Sequence, residues 1–311
     1  MNTTTPRPRV PRRVGDRVTS GLAAGAGLLI VVTLAGVALF LLAEGFPALT
    51  ADGATLPGGR GFAAYAGPLL FGTLLSSAIA LVIAAPLAVA VALFITHYAP
   101  RGLAAPLGYL VDLLAAIPSV VYGLWGATLL GPQLVPISGW LVDHLGWIPL
   151  FAGPPSATGR TMLTAGIVLA IMILPIITAL CREVFLQTPR LHEEAALALG
   201  ATHWEMIRTA VLPYGRSGVV SAAMLGLGRA LGETMAVALV LSVSGGVTFN
   251  LISSANPSTI AANIALEFPE STGLEVNTLI ATGLVLFVVT LVVNWFARAL
   301  VIRRTVRGAV R

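Results

Sequence analysis

Lysine is absent from this chain, and charge of any kind is scarce. Charged residues make up 10% of its 311 positions, against about 25% in soluble domains. All 18 basic residues are arginine. Without lysine no GxxxxGK[ST] loop can exist, so energy from ATP must enter through a separate subunit. Cysteine is nearly missing too. The lone Cys181 excludes an internal disulfide and supplies no thiolate metal cluster. Histidine is limited to His97, His144, His192 and His203, all expected in loops or at span edges. Ser242 and Ser244, ahead of Gly245-Gly246, therefore lack a histidine partner for hydrolysis within a bilayer. His192-Glu193-Glu194-Ala195-Ala196 lacks the second histidine of a zinc-binding HExxH. The chain is expected to be no enzyme and to hold no metal or cofactor of its own.

What the chain has in quantity is apolar surface: 57% of residues are hydrophobic and the mean hydropathy is +0.91. Six segments reach the roughly 20 residues a bilayer crossing needs: Val18–Ala43, Pro68–Thr96, Leu107–Leu130, Thr161–Leu180, Gly218–Val243 and Asn277–Ile302. An all-α membrane protein with a transmembrane region over 18–302 is expected, between an arginine-rich tail at 1–17 and a second tail at 303–311. The first apolar run is too long for a signal-peptide core and no clear cleavage site follows, so it reads as an anchored helix.

Arginine distribution sets the expected orientation. With the N-terminus inside, Arg7, Arg9, Arg12, Arg13, Arg17, Arg101, Arg182, Arg190, Arg208, Arg216, Arg303, Arg304, Arg307 and Arg311 face the cytoplasm, and only Arg60 and Arg160 face outward. The positive-inside bias thus places both termini in the cytoplasm. Pro86, Pro118 and Pro175 interrupt spans and favour kinks. Glu44–Gly67, Gly131–Arg160 and Ser244–Val276 are expected as external loops, with a short helix near Ser258–Phe268.

Two ionisable residues break the apolar pattern of span five, in Gly226-Leu227-Gly228-Arg229-Ala230-Leu231-Gly232-Glu233-Thr234-Met235. Each costs roughly 2.5–3.5 kcal/mol on insertion scales, so charges at that depth are functional by default. Four residues apart, Arg229 and Glu233 are expected on one helix face as an ion pair. A guanidinium fork suits an oxyanion, and an anion that displaces the carboxylate would occupy a weak, reversible site. The alternative is a pair that only locks helix packing. Gly228 and Gly232 form a GxxxG step that admits a close neighbour. In Ala115-Ala116-Ile117-Pro118-Ser119-Val120-Val121-Tyr122-Gly123, Ser119 and Tyr122 are candidate neutral donors, with packing as the alternative role. Asp112 is expected to pair with a loop arginine near the cytoplasmic surface.

Between spans four and five, Leu191–Pro213 (191–213) reads as two short helices. Pro189 and the following acids suit a start, Gly200 a stop, and Pro213 the end of the second helix. Glu194-Ala195-Ala196, Gly200, Ile207 and Leu212-Pro213 resemble the EAA loop of ABC importer permeases. Leu113–Gly126 (113–126), Leu225–Val237 (225–237), Phe71-Gly72-Thr73 and Val184–Pro189 (184–189) closely resemble the PstC family, permease subunits of bacterial phosphate-specific importers. The similarity runs from about Phe71 to Arg304. Met235-Ala236-Val237 favours PstC over the sister PstA family, which follows its Arg–Gly–Glu pattern with a proline-containing run.

The resemblance implies a six-helix type I ABC importer permease in the bacterial plasma membrane. It implies a cytoplasmic coupling helix, carrying Glu194, Ala195, Ala196 and Gly200, that inserts into an ATP-binding subunit. It implies Arg229 and Glu233 in phosphate transport. The implied partners are a PstB-type dimer that binds ATP and magnesium, a PstA-type second permease and a PstS-type external binding protein. A homodimer stays open, and an ion-driven carrier is disfavoured because the EAA loop has no purpose there. From physics alone, sulfate, molybdate or phosphonate would suit an arginine with hydroxyls equally well.

Overall fold

The computed structural model describes residues 14–308, apart from the side chains at 14, 16, 17, 101, 298 and 300–308. All nine arginines of the two expected tails therefore lie outside the described residues or side chains. Within the described residues twelve α-helices follow one another: α1 (Val14–Thr50), α2 (Phe62–Leu93), α3 (Arg101–Ala115), α4 (Ser119–Trp125), α5 (Gly131–Leu145), α6 (Met162–Leu186), α7 (Arg190–Ala198), α8 (His203–Met206), α9 (Leu212–Leu231), α10 (Met235–Val240), α11 (Ile260–Glu267) and α12 (Leu274–Gly308). Among the described residues the only β pairing is an isolated bridge between Val243 and Asn256.

Helix α6 is the axis of the core. Ala165, Val168, Leu169, Met172, Ile173, Ile177, Cys181 and Phe185 are buried along its whole length. On one side α2 presents Ala80, Ala84, Ala88 and Ala92, all fully buried. Their fourfold spacing puts small side chains on a single face, so the two backbones approach closely. Lipid offers no hydrophobic drive to separate helices from it, and association rests on such packing. On the other side α9 approaches through glycines. A Cβ on Gly218 would sit 2.4 Å from Val184 Cγ2, and one on Gly226 would sit 2.7 Å from Ile177 Cδ1.

Helix α1 packs on α12, with the Gly45 Cβ position 3.0 Å from Ala281 Cα, and α12 in turn meets α2, α9 and α11. Leu28, Ile30 and Phe40 of α1 are exposed, as side chains that meet lipid should be.

Among the described residues five helical stretches are long and apolar enough to cross a membrane: Val18–Thr50, Phe62–Tyr98, Ser119–Leu145, Met162–Leu186 and Leu274–Ala297. The remaining crossing is the pair α9–α10. Span three also differs from the sequence expectation, because it is broken rather than continuous. Using α6 as a ruler, Gly108 packs on Arg182, Gly126 on Val168, and Gly131 beside Thr158 and Gly159. The crossing therefore does run between about residues 108 and 131, close to Leu107–Leu130, but through two helices. The backbone leaves helix at Pro118 (φ −60°, ψ 139°). Pro86 and Pro175 instead lie inside continuous helices.

Two further expectations are corrected. Residues 131–145, read as external loop, are helix α5. Pro213 begins α9 rather than ending a short helix. A π turn at Ile207–Val211 re-registers the hydrogen bonds ahead of it, so the chain stays helical from α8 into α9. The short helix expected near Ser258–Phe268 is α11.

Candidate functional site

Span five breaks where its two charges lie. Helix α9 ends at Leu231 and Gly232 is its cap. The Glu233 N–H donates to the Ala230 carbonyl at 3.3 Å, a tighter turn that closes α9 without continuing it. After Thr234 (φ −109°, ψ −67°) the chain re-enters helix as α10. This separates Glu233 from the helix that carries Arg229.

The expected ion pair does not form. Glu233 is 8% exposed, and its Oε1 accepts the Ala236 N–H at 3.1 Å. The carboxylate thus satisfies a backbone donor that the first turn of α10 leaves without a helical partner. The physical reason is the break itself: the fourfold spacing places two residues on one face only while the helix persists. Among the described residues no carboxylate lies within 4.0 Å of the Arg229 guanidinium.

Arg229 is exposed on the surface of the chain, together with Leu225, Gly228, Gly232 and Met235. A Cβ on Gly228 would meet nothing within 4 Å, so this stripe is open. Its depth follows from the same ruler. Gly226 packs on Ile177 and Ile173, midway along α6, and Arg229 is less than one turn further on.

Helix α4 forms the adjoining wall. A Cβ on Gly123 would lie 2.7 Å from Ala236 Cα, so only glycine lets α4 and α10 meet there. Tyr122, the residue before it, is buried at 9% exposure. The Tyr122 hydroxyl donates to the Leu114 carbonyl at 3.0 Å, bridging the α3–α4 break. Its proton is committed, and only its oxygen lone pairs remain for another donor. Ser119 is the first residue of α4 and half-buried. No recorded contact joins it to Arg229 or Glu233. Asp112 pairs with Arg182 at 3.4 Å, as expected in kind, but Arg182 belongs to α6 and not to a loop.

The second candidate surface is the α7–α8 hairpin. Pro189 caps α7, and Gly200 at φ +86° ends it. The N–H groups of Gly200 and Ala201 donate to the carbonyls of Leu197 and Ala196 at 3.0 and 3.2 Å, a closing motif that needs a left-handed residue. Thr202 and Glu205 then make a capping box at the start of α8. Its hydrogen bonds hold the Glu205 carboxyl below the usual carboxylate range. Glu194, Ala195 and Gly200 are exposed, whereas Ala196 is half-buried against the core. Leu191, Leu197 and Leu199 are exposed, Leu199 to 90%.

Sequence reasoning missed how this hairpin is fastened. His97 Nε2 lies 3.6 Å from Glu193 Oε1, and the His203 Nε2–H donates to the His97 carbonyl at 3.1 Å. No local pattern signals contacts across such separations. Buried Asn256 was also missed. Its side chain accepts the Met162 N–H and donates to the Ser242 and Ser253 carbonyls, tying the loop after α10 to the start of α6. Among the described residues no cluster of metal-ligating side chains occurs.

The model of the family described as "Binding-protein-dependent transport system inner membrane component" matches residues 84–306. Among curated proteins, the "Phosphate transport system permease protein PstC 2" of Mycobacterium bovis and that of Mycobacterium tuberculosis are each 48% identical over 302 residues, covering 93% of both chains. The PstC protein of Mesorhizobium japonicum is 40% identical over 301 residues, covering 93% of this chain and 90% of its own. Two solved structures share the fold. One is the MetNI methionine ABC transporter in an inward-facing conformation, at TM-score 0.51 and 17% identity, covering 76% of this chain and 93% of that one. The other is a bacterial ABC transporter that imports alginate, at TM-score 0.51 and 19% identity, covering 94% and 99%.

Proposed function

The chain belongs to the binding-protein-dependent transport system inner membrane components, and within them to the PstC-type phosphate permeases; from that premise we propose how it passes its cargo. It is a multi-pass membrane protein and a permease subunit, not itself an enzyme. The observation that carries the mechanism is the position of Arg229: mid-depth, exposed, and without a carboxylate within reach.

Phosphate crosses as an anion with one or two negative charges. The free guanidinium offers several donors to its oxygens, in a setting of low dielectric where a charge–charge contact is strong. Glu233 does not trade places with the anion. It holds the α10 end of the break by its hydrogen bond to Ala236 and stands behind the site as a fixed negative charge. That charge keeps the anion weakly held, as passage requires. Tyr122 braces α4 against α3. The exposed stripe on α9 faces a second, PstA-type permease, so the pathway lies between subunits.

Arg182, Arg190, Arg208 and Arg216 lie at the end of the molecule that carries α7. The positive-inside bias supports placing this end, with both termini, in the cytoplasm of a bacterium. There α7, through Glu194, Ala195, Gly200 and the exposed Leu191, Leu197 and Leu199, docks on a PstB-type dimer that binds ATP and magnesium. An external PstS-type protein delivers phosphate to the opposite end.

The test is co-reconstitution with these partners in liposomes. ATP-dependent uptake of labelled phosphate is expected, with sulfate, molybdate and phosphonate competing poorly. Uptake that follows an ion gradient without ATP, or equal competition by another oxyanion, overturns the reading.

A further inference from the structure

We propose that Arg160 is a second anion-binding group of the pathway: a guanidinium fixed at the outer end of α10 that takes phosphate before Arg229 does. This site rests on the permease reading above and deepens it.

A hydrogen bond across 79 residues of chain places it. The Arg160 Nη2–H donates to the Leu239 carbonyl at 2.7 Å. Leu239 lies one residue before the end of α10, the half-helix that Glu233 caps. Met235 and Leu239 are four apart within that helix and share a face. Met235 belongs to the exposed stripe of Arg229, so Arg160 closes the outer end of the same stripe. The α6 ruler agrees. Val240 and Val168 meet at Gly126, whereas Gly226 lies against Ile173 and Ile177. Val168 is about 7 Å of helix outward of Ile173.

The root of this side chain is held. Gly159, the residue before it, stands at φ +70°, and a Cβ there would collide with the Gly131 carbonyl. The Gly159 carbonyl accepts the Thr164 hydroxyl at 2.6 Å. The Asn256 side-chain amide donates to the carbonyl of Arg160 itself at 3.5 Å. Thr161, the residue after it, caps α6 by accepting the Thr164 N–H at 3.2 Å. An arginine on a fixed root, with its fork already oriented by Leu239, loses less freedom on taking an anion than a swinging surface arginine does.

The guanidinium is also open. Arg160 is exposed, and among the described residues no carboxylate lies within 4.0 Å of it. The Leu239 bond spends one donor without neutralising the charge, and the other donors of the fork suit phosphate oxygens. The surroundings sharpen its role. Glu44, Asp52, Asp143, Glu267, Glu270 and Glu275 lie toward the outer end, against Arg60 and Arg160. Arg60 belongs to the α1–α2 loop, and Arg160 is the one bonded to α10. An arriving anion is repelled by most of this end and drawn to α10.

The competing role is to cap the last turn of α10, which leaves carbonyls without helical partners. Capping needs a donor and no charge, so substitution separates the two. In liposomes containing the full transporter and saturating phosphate-loaded binding protein, Arg160→Gln keeps a donor and loses the charge. Its maximal uptake is expected to fall about three- to tenfold, the loss of one exposed charge-assisted contact. Arg160→Lys is expected to retain most of the uptake. Arg160→Cys is expected to fall as Arg160→Gln does. A cationic methanethiosulfonate added outside should restore its uptake and an anionic one should not. Cys181 is buried, and the native transporter treated alike is the control. Equal uptake by the Gln and Lys variants, with assembly shown by copurification, overturns the proposal. A change only in the binding protein needed for half-maximal uptake, at an intact maximal rate, makes Arg160 a docking contact and overturns it too. If the native transporter imports another oxyanion and no phosphate, the phosphate reading fails by itself, and the same ordering of variants read on that anion decides Arg160.

Discussion

Charges four residues apart stay separate in the middle of this molecule, while a histidine and a carboxylate nearly a hundred residues apart meet at its edge. Arg229 and Glu233 share a span, yet the helix stops between them and Glu233 turns to the backbone of α10. His97 and Glu193 share no local segment, yet α2 and α7 bring them to 3.6 Å. The difference teaches that a periodicity argument is only as good as the helix that carries it. Where glycine and a buried carboxylate cap a break, a neighbour in sequence ceases to be a neighbour on a face.

The sharpest way to break this comparison is Arg229→Gln. If the guanidinium is a free anion site, losing at least two charge-assisted donors should lower ATP-driven phosphate uptake by about a hundredfold or more, with normal assembly judged by copurification of the partner subunits. Near-normal uptake would return Arg229 to a packing role. Next is Gly123→Leu, whose side chain must push α4 off Ala236. Overpacking of about 1–3 kcal/mol should lower thermal stability, and uptake should fall about tenfold as α4 is displaced.

Glu233 offers a finer distinction. Glu233→Gln keeps an oxygen for the Ala236 N–H, whereas Glu233→Ala leaves that donor bare at about 1–3 kcal/mol. The alanine variant should therefore be clearly less heat-stable in membranes than the glutamine variant. Equal stability would mean that the carboxylate does not hold the break.

The smallest effect is expected at the hairpin. Thr202→Ala removes the α8 cap, worth about 1 kcal/mol, and should speed exchange of the Glu205 amide about fivefold. Acid should act in the same direction. The folded Glu205 carboxyl titrates below its ordinary range, so its contribution is full above that range and is lost as pH falls through the depressed folded value. A hairpin whose exchange is unchanged between neutral pH and pH 3, after correction for intrinsic rates, would contradict this.

Much of the architecture was legible beforehand. Apolar runs of bilayer length located the crossings, because backbone in lipid must close its hydrogen bonds within a helix. The Pro189 start and Gly200 stop of α7 were legible because proline and glycine act through their own backbone geometry. Helix α5 was missed because its prolines, glycines and tryptophan read as a loop; Pro132 follows directly on a π turn, Gly126–Leu130, and the chain is helical on both sides of it. The site was half legible: Arg229 and Tyr122 both stood out, but no local signal showed that Gly123 of α4 packs on Ala236 of α10.

By itself, then, the sequence determined that this chain is a bundle of membrane helices, where α7 begins and ends, and that an arginine sits at lipid depth. Those facts depend on composition and on backbone preferences that each residue carries alone. Only the tertiary structure decided that the arginine stands unpaired, that Glu233 serves the backbone, and that two histidines tie the hairpin to α2. Those facts depend on which side chains packing brings within a few ångströms, and packing is a property of the whole chain.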